Sequence, residues 1–356
     1  MSGQVVGGQD VGATGGARRV DLGHGLEVSR LGFGGMAITH VYGETDPAEG
    51  LRTLHHAVDA GVTFIDTADV YGQPREGVEG PAGTNEELVA QLLRDRRDEV
   101  QLATKFGITG VPNQGPGATG VRGDAAYVRS AAEASLRRLG TDVIDLYYLH
   151  RRDVSVPIEE TVGAMAELVA AGKVRHLGLS EVTATELRAA AAVHPISAVQ
   201  SEWSIWSRDV EAQVVPAAVE VGAGFVPYSP LGRGFLTGAM TKEAVAGSML
   251  KGHPRFDAGF DANQRVVQVV TEVATEVGAT PAQVALAWLY AQGERLGLPV
   301  VPIPGTRRAE RVDENLGALD VRLGADHLAR LDAAAALAEG DRNLSKDPAW
   351  ISSGRE

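Results

Sequence analysis

Residues 143–181 read VIDLYYLHRRDVSVPIEETVGAMAELVAAGKVRHLGLSE, and their order decides the fold. VIDLYYLH is a short run with apolar residues on both faces. IEETVGAMAELVAAG repeats its apolar residues at spacings of three and four, closes on Gly172, and leads into a second such run, RHLGLSE. That succession predicts strand, helix, strand. A strand with one wet face would alternate apolar and polar residues. These do not, which predicts a parallel sheet covered by helices on the outside and filled by its own side chains within.

The same unit recurs on either side. RLGFGGM, VTFIDTA and VQLATKF come before it, and ISAVQSE, GFVPYSP and VVPIPGT after it, which brings the strand candidates to about eight. PAEGLRTLHHAVDAG, NEELVAQLLRD, AAYVRSAAEASLRRLG and TPAQVALAWLYAQ supply helices between them, and Gly61, Gly140, Gly172 and Gly222 stand where helices would end in a left-handed cap. The predicted fold is α/β, a single-domain (β/α)8 TIM barrel. The rival doubly wound sheet would carry G-x-G-x-x-G after its first strand, and LGFGGMAI has Ala37 in place of the third Gly. Residues 1–17 read as a flexible Gly-rich tail and 18–335 as the barrel. The barrel would include an N-terminal β-hairpin around Gly23 and Gly25 and an extra C-terminal helix in ADHLARLDAAAALA. Residues 336–356 read as a polar tail that Trp350 would anchor to the barrel or to a neighbour.

Bulk properties narrow the function. The chain has 356 residues, 44% hydrophobic and 22% charged, the balance of a globular protein with a sizeable core. A formal net charge of −13 repels a phosphate backbone, so nucleic acid is a poor partner and an anionic ligand needs a local basic cluster. The absence of cysteine excludes disulfides, thiolate metal sites and cysteine nucleophiles. No run of about 18 apolar residues could cross a bilayer, and the first residues lack a signal peptide's apolar core. The expectation is a soluble cytoplasmic protein, with a homo-oligomer left open.

In a barrel, the residues where each strand meets the next loop converge on one face. FIDTADVYG places Asp66 and Tyr71 there, LATKFG places Lys105, and LYYLHRRD places His150. Singly, Asp66 could cap backbone amides, Tyr71 could pack a loop and His150 could be structural. A lysine ending an apolar strand requires a carboxylate, because a buried ammonium without a partner is expensive. As a set, Lys105 would stabilise a Tyr71 phenolate and improve the phenol as a proton donor. Asp66 would hold the ammonium, and neutral His150 would hydrogen-bond a substrate oxygen. That suits hydride delivery to a carbonyl carbon with protonation of its oxygen. No H-E-x-x-H or compact ligand set points to a metal, and Asp66 has only the distant Glu181 as a second carboxylate for glycoside hydrolysis. Long Gly-rich stretches, 107–123 and 233–261, follow strand ends and read as functional loops.

FIDTADVYG, LATKFG, DLYYLH, YSPLGRGFLTG and IPGTRRAERVDENLGAL resemble the aldo-keto reductase superfamily, in family order, over almost everything from Leu31 to Leu319. The resemblance implies a barrel that binds NADPH/NADP+ and reduces a small-molecule carbonyl, with a tetrad of Asp66, Tyr71, Lys105 and His150. By the same resemblance Ser180 and Gln200 contact the nicotinamide carboxamide and Tyr228 stacks on its ring. Met36 and the stretch Ser229, Leu231, Gly232, Arg233 and Gly234 belong to the cofactor groove, the stretch running beside the pyrophosphate. Gly305, Thr306, Arg307 and Arg311 match the segment that receives the 2′-phosphate, with Glu314 and Asn315 near the adenine. The arginines could instead be a solvated helix start paired with Glu310, Asp313 and Glu314. Trp203 and Trp206 are read as substrate-pocket walls or as packing.

The sequence also departs from the commonest family pattern. Glu181 stands where many relatives carry Asn, and Gly305 where the best-known reductases place Lys. Both resemble the bacterial and plant branch of pyridoxal-reductase-like and auxin-induced-type members. The insertion GQPREGVEGPAG after Tyr71 is longer than usual and would border the site. A regulatory NADPH-binding subunit with little turnover is the main alternative.

Overall fold

The structure is a computed structural model that describes residues 19–39, 45–73, 75–76, 80–109, 120–248, 250–343, 345, 347 and 350–356. The expected tail over 1–17, most of the 107–123 loop and part of the insertion lie outside the described residues. Strands β1 (Arg19–Asp21) and β2 (Glu27–Ser29) form the expected antiparallel hairpin. Seven parallel strands follow in consecutive order: β3 (Gly32–Gly34), β4 (Phe64–Asp66), β5 (Gln101–Phe106), β6 (Ile144–Leu149), β7 (Val174–Ser180), β8 (Ala198–Glu202) and β9 (Gly224–Tyr228).

VVPIPGT, expected as the eighth strand, is not a regular one. The extended segment 299–304 still bridges the two ends of the sheet. On one side Val301 N donates to Phe225 O at 2.9 Å and Ile303 N to Pro227 O at 3.2 Å. On the other, Gly32 N donates to Pro302 O at 2.9 Å and Gly34 N to Pro304 O at 3.3 Å. Pro302 and Pro304 have no N–H to return to β3, so this edge of the ladder runs one way. The barrel closes, with half of one seam's hydrogen bonds missing.

Helices cover the outside: α1 (Pro47–Asp59), α2 (Thr84–Arg96), α3 (Ala125–Leu139), α4 (Ile158–Ala170), α5 (Ala184–Val193), α6 (Val214–Val221), α7 (Lys242–Ala246), α8 (Phe260–Val277), α9 (Pro281–Leu296), α10 (Ala309–Leu316) and α11 (Ala325–Ala334). Their ends follow local chemistry. Asp46 and Asp124 cap α1 and α3, Thr183 and Thr280 form capping boxes on α5 and α9, and Gly140 and Gly222 end α3 and α6 in the left-handed conformation. Outward strand residues such as Tyr147, Leu149 and Leu179 join one helix-facing core.

Inward residues form a second, enclosed core. Phe64, Ala103, Leu146, Tyr148, Ala198 and Val226 pack together inside the barrel, with Leu22 and Leu26 of the hairpin in the same cluster. Gly178 makes room for this layer, since a Cβ there would lie 2.4 Å from the Tyr148 ring. Side chains alternate along a strand, so the next inward positions are two residues further on. These are Asp66 after Phe64, Lys105 after Ala103, His150 after Tyr148, Gln200 after Ala198 and Tyr228 after Val226. The interior therefore turns from apolar to polar at the C-terminal mouth. Among the described residues, no helix is long and apolar enough to cross a membrane.

Candidate active site

Lys105 lies fully buried and makes three contacts. Its Nζ donates to Asp66 Oδ1 at 2.5 Å, to Thr67 O at 2.8 Å and to the Tyr71 hydroxyl oxygen at 3.3 Å. Asp66 Oδ2 accepts from Gln200 Nε2 at 2.8 Å, so both carboxylate oxygens are occupied. The ammonium also sits 4.8 Å from the centre of the Tyr71 ring. The His150 ring meets Tyr71 edge to face at 5.6 Å, while its Nδ1 is buried without a hydrogen-bond partner. The four candidate catalytic residues are thus gathered at one point.

Burial disfavours the Lys105 ammonium, but Asp66 and Tyr71 outweigh it and raise its pKa above the usual lysine value. Burial pushes the Tyr71 phenol up, and the nearby Lys105 charge only partly offsets this. The net direction is the reverse of simple activation by a cation: Tyr71 stays a protonated phenol with the ammonium moderating the cost. Burial first, then repulsion from Arg151 and Lys105, lowers His150 well below the ordinary histidine value, which keeps the imidazole neutral.

A cavity of about 680 Å³ opens over this group. Asp66, Tyr71, His150, Ser180, Gln200 and Tyr228 line one end; Met36, Ser229, Leu231, Arg233 and Gly234 line the wall. Gly305, Thr306, Arg307, Arg308 and Arg311 line the other end. Backbone φ is +49° at Ser229, −98° at Leu231, then +55° at Gly232, +56° at Arg233 and +92° at Gly234, a change from right- to left-handed turn of the kind that forms anion-holding backbone concavities. Gly305 is explained by close approach. A Cβ there would stand 2.7 Å from Gly34 O and 2.8 Å from Ala37 Cβ. Arg311 pairs with Glu314 one turn on, as the solvated reading of the cluster requires, yet its side chain still borders the cavity.

Other sequence candidates fall outside the lining. Gly232 packs under Trp206, and Glu314 and the buried Asn315 lie behind the cavity wall. Trp203 is fully buried between Phe225 and Trp288, with Nε1 donating to Glu211 Oε1 at 2.9 Å. Trp206 stacks on Phe235 and meets Phe256 edge on. Trp203 packs into the outer core against β9 and α9, Trp206 packs against the loop after β9, and neither lines the cavity.

Glu181 also misses the cavity lining. Its backbone takes φ +51°, and its carboxylate accepts from the Tyr228 hydroxyl at 2.7 Å, from Arg342 Nη1 at 3.1 Å and from Ser352 N at 3.0 Å. It is fully buried, and although burial favours its neutral form, Arg342 and Arg151 hold its carboxyl down at about 2. Buried outside the cavity lining and occupied by Tyr228, Arg342 and Ser352, it is not placed to act as the second carboxylate of the hydrolase reading.

Sequence reasoning missed several lining residues. Met240, Ala244, Ser248 and Leu250 come from the long loop after β9, and Val70 and Ile108 border Tyr71's end. That loop's length was the available signal. Arg151 also lines the cavity, and its only sequence signal is its place directly after His150.

Fold and site together define the class: an α/β-barrel enzyme whose polar side chains gather at the C-terminal mouth. The chain belongs to the aldo-keto reductase family, whose description, "Aldo/keto reductase family", matches residues 30–336. It is an oxidoreductase of the kind that reduces carbonyl groups with a nicotinamide cofactor. A protein of Glycine max described as "Probable aldo-keto reductase 1" is 48% identical over 305 residues, 84% of this chain and 83% of that one. Among solved structures, a thermostable aldo-keto reductase in complex with the inhibitor epalrestat is similar with a TM-score of 0.68 and 28% identity. That match covers 89% of this chain and 99% of the other.

Proposed function

We propose that the protein reduces aldehydes or ketones to alcohols with NADPH, and that Tyr71 is the proton donor. The carrying observation is the Lys105 ammonium, 2.5 Å from Asp66 and 3.3 Å from the Tyr71 oxygen, beside a neutral His150 on a cavity wall. When bound, the reduced nicotinamide supplies a hydride to the carbonyl carbon. The residues present fit such a group: Ser180, Gln200 and Tyr228 at the chemical end, the left-handed backbone run in the middle, and Arg307, Arg308 and Arg311 for a terminal phosphate. A cofactor without that phosphate would leave Arg311 with Glu314 of its own helix.

His150 and Tyr71 orient the carbonyl oxygen between a ring N–H and a phenol O–H. As negative charge grows on that oxygen, Tyr71 gives up its proton and Lys105 balances the phenolate that forms. Asp66, held by Gln200, keeps the ammonium in place through the step. The absence of cysteine fits work in a reducing cytoplasm.

The test follows NADPH absorbance with the purified protein and a panel of nitrobenzaldehyde, a dicarbonyl, pyridoxal and an aliphatic aldehyde. Saturable oxidation that disappears in Tyr71→Phe is the expected result. Tight NADPH binding with no turnover on any carbonyl would replace the reductase reading with that of a binding subunit.

A further inference from the structure

Arg151 lines the cavity and, besides helping to hold the Glu181 carboxylate ionised, makes no direct ion pair with a carboxylate among the described residues. It lines the same end as Tyr71 and His150, and its Nη1 donates to His150 O at 2.8 Å and to Ser180 Oγ at 3.2 Å. Its Nε is buried with no hydrogen-bond partner. No ion pair within 4.0 Å joins it to a carboxylate among the described residues, although Arg152 beside it is paired with Glu186 at 3.4 Å. Its hydrogen bonds go only to neutral acceptors; the Glu181 carboxylate beyond Tyr228 balances its charge at longer range, and an anion in the cavity would supply the direct partner it lacks.

The guanidinium is also held in place. Its carbon lies 5.9 Å from the Tyr228 ring and 5.5 Å from the Trp350 ring, a position between two aromatic faces. Tyr228 is fastened through its hydroxyl to Glu181, and Glu181 in turn holds Arg342 and Ser352 of the C-terminal segment that carries Trp350. Residues nearly two hundred positions apart thus fix one cation beside the reacting groups. Arg307, Arg308 and Arg311 stand at the cavity's opposite end, so Arg151 is not part of that cluster.

We propose that Arg151 is a specificity-determining residue that reads an anionic group on the substrate, so that the preferred carbonyl compounds carry a carboxylate a few bonds from the reacting carbonyl. The proposal rests on the reductase reading above. A carboxylate bound by Arg151 would place its neighbouring carbonyl toward Tyr71 and His150, and Trp350 acts through Arg151 as a positioning residue.

The experiment compares 4-carboxybenzaldehyde with 4-methylbenzaldehyde in the full chain, its Arg151→Gln, Arg151→Lys and Trp350→Phe variants, with NADPH affinity read separately by fluorescence. In Arg151→Gln the ratio of kcat/KM for the charged over the neutral aldehyde falls about 10- to 100-fold, the size of a lost hydrogen bond to a charged partner, through a higher KM. Arg151→Lys restores part of the ratio, and Trp350→Phe holds it near wild type by keeping an aromatic face. An unchanged ratio, or a loss that follows weakened NADPH binding, overturns the proposal. If no aldehyde is turned over, the reductase reading fails instead. Thermal shifts by benzoate and benzamide then still decide: stabilisation by benzoate that Arg151→Gln abolishes supports the anion site, and equal shifts in both proteins overturn it.

Discussion

The two ends of the cavity hold their charges in opposite ways. At the Tyr71 end, Lys105 and Asp66 are 0% and 2% exposed, and each is saturated with partners from the barrel interior. At the far end, Arg311 is 48% exposed and leans on Glu314 of its own helix. A charge buried among fixed dipoles acts through a low dielectric and needs no rearrangement when charge develops on a substrate. An exposed one is screened by water and salt, and contributes selectively only when a ligand displaces them. On the proposed reading, one end serves the chemistry and the other the choice of cofactor.

Substitutions at the two ends should separate accordingly. Tyr71→Phe strikes the buried end hardest: turnover falls by about 10²–10⁴-fold while NADPH affinity, read by fluorescence, holds. A Tyr71→Phe enzyme that kept wild-type kcat would remove the distinction between the ends at its root. Lys105→Met comes next, because it leaves the Asp66 carboxylate buried beside Gln200 alone. Turnover should fall together with roughly 3–5 kcal/mol of stability in denaturant titration. Lys105's folded pKa is raised, so its contribution is complete below the free lysine value and fades only as pH rises through the folded one.

Glu181 extends the buried pattern to the C-terminal segment. Its pKa falls from 4.5 to about 2 on folding, which corresponds to about 3 kcal/mol present above pH 4.5 and lost as pH falls through about 2. Unfolding midpoints of the native chain and Glu181→Gln should differ most at neutral pH and converge in acid; a gap independent of pH would refute the carboxylate's role. Arg311→Ala has the smallest effect, about tenfold in NADPH affinity with little change for NADH, as suits a screened group. Equal losses for both cofactors would take the phosphate role away from this end.

Much of this was legible in advance. Asp66, Lys105 and His150 stand two residues beyond apolar inward positions, and a period of two carries them to the mouth whatever the detailed packing. Tyr71 follows Asp66 closely enough to share its strand end. The eighth strand was legible as a barrel element but not as an irregular one, although Pro302 and Pro304 carried that information. Trp203 and Trp206 were open between pocket and packing, since an aromatic after a strand end can turn either way until the loop that covers it is placed.

The sequence by itself determined the barrel, its family and the four residues at its mouth. The barrel and the four residues follow from periodicity and strand-end position, and the family from the resemblance of five short motifs; all of these depend on neighbours a few residues away. Only the tertiary structure decided that Glu181 turns from the cavity to bind Arg342, that Trp350 lies against Arg151, and that Arg151 forms no ion pair within 4.0 Å with a carboxylate among the described residues. Each depends on which side chain folding brings within about 4 Å, the range over which ion pairs form. No local pattern encodes a partner 161 residues away.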